Sequence, residues 1–156
     1  MSKSDVLDNV HALKPQSDVD PLPLIPPGLY SVAFDYFETA IQFVTSQKVI
    51  MHFHIVDYGQ SFNTQLARYH TVRRVIGKPS RGGCFKVSQT SMFMIEYHRC
   101  LRDSVVRRFD RVPMAEWPKH IYKARVATVT KNSQQKSLPS PIQYSKIAEL
   151  IGIADE

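Results

Sequence analysis

Polar and apolar side chains alternate along two neighbouring stretches of the chain. Tyr30, Val32, Phe34 and Tyr36 are separated by Ser31, Ala33 and Asp35, the period of a half-buried β-strand. Val49, Met51, Phe53 and Ile55 then alternate with Lys48, Ile50, His52 and His54, so a second strand has one apolar face and one face turned to solvent. The polar Thr45-Ser46-Gln47 between the two runs predicts a hairpin. Asp57-Tyr58-Gly59-Gln60 predicts the next turn, since Asp and Gly tolerate tight-turn dihedrals. From Thr64 to Val75 a third strand alternates less cleanly, as a bulged or irregular strand does. Lys78-Pro79-Ser80-Arg81-Gly82-Gly83 is a loop, because its proline and glycines break both kinds of regular structure.

After Ser88 the apolar period lengthens. Met92, Ile95, Tyr97 or His98, and Leu101 follow helical spacing, with Ser88 placed as N-cap and Arg99 and Arg102 near the other end. Pro113 to Trp117 predicts a short helical turn stopped by Pro118, and Ile121 to Thr130 a further strand. Lys131 to Lys136 is a polar loop, and an extended piece at Pro141 to Tyr144 leads into a helix over Ser145 to Leu150, capped by Gly152. This order predicts a mainly β (β-rich α+β) fold, a five-stranded OB-like barrel with one main helix and a short C-terminal helix. A generic α+β sheet with a helix across one face has the same order.

Residues 1–28 read as a proline-rich leader ahead of a single domain over 29–156. Pro15, Pro21, Pro23, Pro26 and Pro27 forbid helix in its second half. Ser4 to Leu13 can form a short helix with Val6, Leu7, Val10 and Leu13 on one side. The start carries Asp5, Asp8, Asp18 and Asp20 and lacks the order of a secretory signal. No run approaches the roughly 18 apolar residues that span a bilayer. Cys84 and Cys100 are too few and too far apart for a disulfide framework or a Cys-x-x-Cys metal site. The expectation is a cytoplasmic protein with reduced cysteines and no membrane contact.

The formal charge is +6, and its distribution is uneven. Between Tyr58 and Ile95 stand Arg68, Arg73, Arg74, Lys78, Arg81 and Lys86 and no acidic residue. Extension to Lys136 adds ten cations against only Glu96, Asp103, Asp110 and Glu116. Such a segment holds a positive potential and favours a polyanionic partner.

No phosphate loop, dinucleotide fingerprint, nucleophile elbow or zincin motif is present. Asp35, Glu38 and Asp57 fall near strand ends but read as solvated turn acids. Cys84 has Arg81 and Lys86 nearby and no histidine placed by sequence to partner it. His52 and His54 share a strand face at a spacing that can bind a transition metal, but ordinary polar surface accounts for both. The expectation is therefore a protein that is not an enzyme and uses no cofactor or metal.

Pro26-Pro27-Gly28-Leu29-Tyr30-Ser31-Val32, followed by Lys48 to Asp57 with its Phe-x-Ile-x-Asp ending, resembles a group of phage and mobile-element proteins similar to OB-fold single-stranded-DNA-binding proteins. The resemblance covers about residues 26–75 and implies a barrel and, by analogy, DNA binding. Cations for phosphates and aromatic faces for bases are what such binding needs. Arg68, Tyr69, Arg73, Arg74, Lys78, Arg81 and Lys86 offer that mixture, with Tyr69 equally able to pack in the core. Lys48, His52 and His54 lie opposite the apolar face of the second strand, and Lys123 and Arg125 project from one side of the later strand. The expected function is non-catalytic nucleic-acid binding, preferring single strands of DNA with little sequence specificity. The alternative is a protein–protein interaction module or inhibitor encoded by a mobile element. Edge strands such as 29–37 can also pair between copies, giving a homodimer.

Overall fold

Each alternating run forms a strand in the computed structural model, which describes residues 22–42, 46–131, 135–139 and 143–154. The strands are β1 (Gly28–Gln42), β2 (Ser46–Ile55), β3 (Gln65–Thr71), β4 (Arg74–Ile76), β5 (Cys84–Lys86), β6 (Ile121–Val129) and β7 (Tyr144–Ile153). Helix α1 (Met92–Cys100) and a 3-10 helix (Met114–Lys119) fall between β5 and β6. The fold is mainly β. Five strands make an antiparallel sheet in the order β3-β2-β1-β6-β7, and β4 and β5 form a separate hairpin. No hydrogen-bonded ladder closes the sheet, yet its two edge strands, β3 and β7, approach within 8 Å between Cα atoms. No helix among the described residues is long and apolar enough to cross a membrane.

The hairpin of β1 and β2 forms as its pattern predicts, with Val32 opposite Ile55 and Phe34 opposite Phe53. Val49, Met51, Phe53 and Ile55 are all fully buried, each contributing roughly 1.5–3 kcal/mol by leaving water. They face an aromatic core around Trp117, whose ring lies 5.1 Å from Tyr122 and 5.7 Å from Tyr97 between centroids. Two phenols brace this core: Tyr122 Oη donates to the Trp117 carbonyl (2.6 Å), and Tyr97 Oη donates to that of Pro113 (2.6 Å).

Several expectations need correction. Strand 29–37 is central, because β1 is long enough to pair with β6 through Gly28–Ala33 and with β2 through Val32–Gln42. The third strand stops at Thr71, and Val72–Arg73 break it before β4 begins. Ser91, not Ser88, caps α1 by accepting from the Met94 amide (3.2 Å), while Ser88 shapes the preceding turn. The buried face of α1 is Phe93, Met94, Glu96, Tyr97 and Cys100, leaving Met92 and Ile95 exposed. Pro118 lies inside the 3-10 helix instead of ending it.

The short C-terminal helix is absent, and its residues form β7. The register jumps from Val126–Ile147 to Arg125–Glu149 and again from Ala124–Leu150 to Lys123–Gly152, so Ala148 and Ile151 are bulged out. A bulge shifts the inward phase by one position. Buried Ile147 and Leu150 thereby stand three apart, a helical spacing inside a strand. Of the leader, Ser4 to Leu13 lies outside the described residues, whereas 22–27 forms neither helix nor strand. Here Ser145 N donates to the Pro23 carbonyl (2.8 Å) and Ser145 Oγ accepts from Ile25 N (2.9 Å), tying the leader's end to β7.

Helix α1 bridges the two sheet edges with charge. Glu96, 1% exposed, receives Arg68 of β3 through Nε (3.1 Å) and Nη2 (2.5 Å). One turn on, Arg99 donates to Glu149 (2.7 Å) and to the Leu150 carbonyl (2.8 Å) of β7. Burial by itself would raise the Glu96 pKa, but the close His70 imidazole and the hydrogen-bonded Arg68 guanidinium outweigh it and hold the carboxyl below its usual value. Burial pushes His70 the other way, below the ordinary histidine range, despite the carboxylate 3.3 Å from its Nε2.

Removing one partner of a buried pair strands the other. Glu96→Ala is expected to destabilise the domain by about 3–5 kcal/mol, read as a lower urea midpoint, whereas Arg108→Ala, which breaks an exposed pair with Asp110, leaves the midpoint unmoved. Both buried groups are depressed, so both favour the folded state above their unfolded pKa values. The urea midpoint is expected to fall as pH drops below about 6.5, where an unfolded histidine charges, and further as Glu96 takes up a proton. His70→Asn should abolish the first part of that fall.

Candidate nucleic-acid interface

A bulge decides which side chains reach the outer face of the sheet. Between Phe34 and Tyr36 the β1–β2 register shifts and Asp35 becomes the extra residue. Before it, Val32 and Phe34 point inward. After it the odd positions do, with Phe37 packing on Phe85 and Thr39 buried. Tyr36, which simple alternation puts in the core, is turned outward beside His52.

There the rings meet. His52 stacks on Tyr36 with centroids 4.3 Å apart and planes 16° from parallel, and the Arg81 guanidinium carbon sits 3.8 Å from the same centroid. His52 Nε2 donates to Glu38 (2.7 Å), and His54 Nδ1 donates to Asp35 (2.7 Å). Each histidine thus has its own carboxylate, and no cluster of three metal-ligating side chains occurs among the described residues.

Arg81 reaches Tyr36 because its loop is clamped to the free edge of β1. The Thr39 amide donates to the Ser80 carbonyl (3.0 Å) and the Gly82 amide to that of Phe37 (2.9 Å). Gly82 takes a φ of +71°, and a Cβ on Gly83 would stand 2.5 Å from Thr39 Oγ1. The turn therefore needs both glycines, for different reasons.

On β3, Ala67 lies opposite His52, Tyr69 opposite Ile50, and Thr71 opposite Lys48, whose Nζ donates to the Thr71 hydroxyl (3.3 Å). Tyr69 is half-buried on this face, and burial, with Tyr144 and Glu38 nearby, pushes its phenol up to about 12. Past Thr71 the chain enters the β4–β5 hairpin, anchored to β2 by Gln47, which accepts from the Val72 and Val75 amides (2.9 and 2.5 Å). Arg74 pairs directly opposite Lys86, and the Arg73 amide donates to the Lys86 carbonyl (2.9 Å). Arg73, Arg74, Lys78, Arg81 and Lys86 are all exposed, and none forms a salt bridge among the described residues.

The remaining expected site residues fall elsewhere. Arg68 is committed to Glu96 inside the domain. Lys123 and Arg125 lie on β6, where Lys123 Nζ donates to Ser31 Oγ (3.2 Å) and Arg125 pairs with Glu149 (3.2 Å). Three features went unpredicted: Tyr36 and Glu38 on the outer face, and Tyr58 stacked on Phe62 at the β2–β3 turn. Tyr58 is 94% exposed and Phe62 47%. The signal for the last was an aromatic on each side of a polar turn. Of the two cysteines, Cys84 is exposed and Cys100 buried, with burial and the nearby Glu96 raising the Cys100 thiol to about 12. In comparison with known proteins, no family model, no curated protein and no solved structure matches this chain.

Proposed function

We propose that this domain is an OB-type barrel left open between β3 and β7, and that its outer β1–β2–β3 face, continued by the β4–β5 hairpin, binds single-stranded nucleic acid without catalysing a reaction on it. The connectivity supports the barrel. Three meandering strands, a helix, and two strands returning on the far side of β1 give the sheet order β3-β2-β1-β6-β7, as in that fold. Its edges approach each other, and α1 is bonded to both.

One observation carries the binding reading. Arg74 and Lys86 face each other across a two-stranded hairpin with Arg73 beside them, and no carboxylate neutralises them among the described residues. Like charges directly opposite destabilise a sheet, and phosphates laid along the hairpin would remove that repulsion. Tyr36, which carries Arg81 on its ring, and half-buried Tyr69 on the adjoining sheet face favour a strand whose bases are unpaired. DNA is the preferred form on the strength of the resemblance over residues 26–75. Phosphate contacts would supply most of the affinity, so sequence would matter little.

Fluorescence-anisotropy titration of a labelled single-stranded oligonucleotide tests this reading. Affinity is expected to fall as salt rises, with a log–log slope of about −0.7 per neutralised phosphate. Arg73→Ala with Arg74→Ala should weaken every sequence alike and flatten that slope by about 1.4. Arg125→Ala, already paired with Glu149, should change little. A flat dependence of affinity on salt overturns the proposal.

A further inference from the structure

We infer that the cleft above Ala67 is a slot for one unpaired nucleobase, stacked on the open face of the His52 imidazole. The inference rests on the nucleic-acid reading and says where a base would go. Two groups within 4.3 Å of one ring centroid cannot share a face of that ring. Arg81 and His52 therefore cover Tyr36 on opposite sides. The array Arg81–Tyr36–His52 is closed at the arginine end and can grow only beyond His52.

What lies beyond His52 is the smallest side chain on the outer face of β3. The register sets Ala67 opposite His52, with Gln65 and Tyr69 two positions away on either side. The gap opens into a cleft of about 300 Å³ between β3 and β7, with Tyr144 and Leu22 on its far wall. That volume is at the lower end of small-ligand sites. The donation from His52 Nε2 to Glu38 fixes the imidazole plane before any ligand arrives, which lowers the ordering cost of stacking on it.

The slot asks for a flat heteroaromatic ring with polar edges. Any base supplies the π-face, and the exposed Gln65 amide carries both donor and acceptor for its edge. A base paired in a duplex is already stacked and would have to be extruded first. A slot of this geometry would favour single strands and tolerate sequence together.

The test separates bases from phosphates. The full chain is titrated at low salt with an oligodeoxythymidylate and with an abasic oligonucleotide of equal length and charge. The oligodeoxythymidylate is expected to bind roughly tenfold tighter, the scale of one stacked base. A 2-aminopurine placed in the oligonucleotide should lose fluorescence on binding. Ala67→Leu, which fills the slot, should erase the preference and the quenching while abasic binding stays unchanged. Equal binding of the two oligonucleotides by the unaltered protein overturns the slot and leaves the polyanion reading standing, a comparison that holds even if the variant fails to fold. A preference that survives Ala67→Leu also overturns it. Thymidine 5′-monophosphate binding as tightly as the oligonucleotide would overturn the polymer as occupant. No binding of either oligonucleotide would overturn the nucleic-acid reading itself.

Discussion

The fold depends on how α1 holds the two open edges of the sheet. A five-stranded sheet that does not close leaves unpaired N–H and C=O groups on β3 and β7, a template for pairing with another chain. Successive turns of α1 answer this, Glu96 holding Arg68 of β3 and Arg99 holding Glu149 and a β7 carbonyl. The Glu96 contact is the costlier one to bury, because a carboxylate loses its hydration unless its oxygens are fully bonded. Arg68 meets that need with a two-pronged guanidinium contact, so the pair specifies where the helix lies more than it adds net stability. An apolar pair in its place could slide along the edge. A bidentate pair cannot.

The same arrangement explains which parts of the chain were legible in its sequence. β1, β2 and β6 were, because burial on one face forces strict alternation and nothing interrupts it across β2. The pairing of β1 with β2 was legible too, but Ser46 and Gln47, read as part of the polar connection, belong to β2, and Thr45 lies outside the described residues. α1 was visible as a helix but not in its rotation: its buried face includes a glutamate, and its exposed positions include Met92 and Ile95. Hydrophobicity alone turns such a helix the wrong way, since the partner that justifies the buried charge is Arg68, 28 positions away. β7 failed for a different reason. Two bulges moved its inward phase, and a strand with shifted phase prints a spacing of three that a helix also prints. The bulge at Asp35 had the same effect on Tyr36, hiding the centre of the candidate site among apparent core residues.

Charge was legible in amount but not in allocation. The run from Tyr58 to Ile95 contains no acid, yet the first residue after it is Glu96, and it takes Arg68 out of the surface set. Later acids act likewise: Asp110 takes Arg108, Glu116 takes Lys119, and Glu149 takes both Arg99 and Arg125. On the β4–β5 hairpin and its loop, Arg73, Arg74, Lys78, Arg81 and Lys86 stay together with no salt bridge among the described residues. Their position follows from the break at Val72–Arg73, which Gln47 enforces by capturing two amides of the turning chain.

This allocation also sets how the two halves of the candidate face would work. The hairpin cations are exposed and solvated, so their attraction is long-ranged at low salt and fades within a Debye length of about 10 Å at 0.1 M. On the proposed reading they would capture and orient a polyanion without distinguishing one base from another, because phosphates carry no sequence. The Tyr36–His52–Ala67 region is half-buried and holds its rings at stacking distance, so a base stacked there would add affinity that depends little on ionic strength. β3 joins the two through Tyr69 and Thr71, so a chain laid along it meets charge at one end and ring faces in the middle. A division of that kind predicts affinity with two separable components, one salt-sensitive and one not, whose ratio depends on whether the bound polymer carries bases at all.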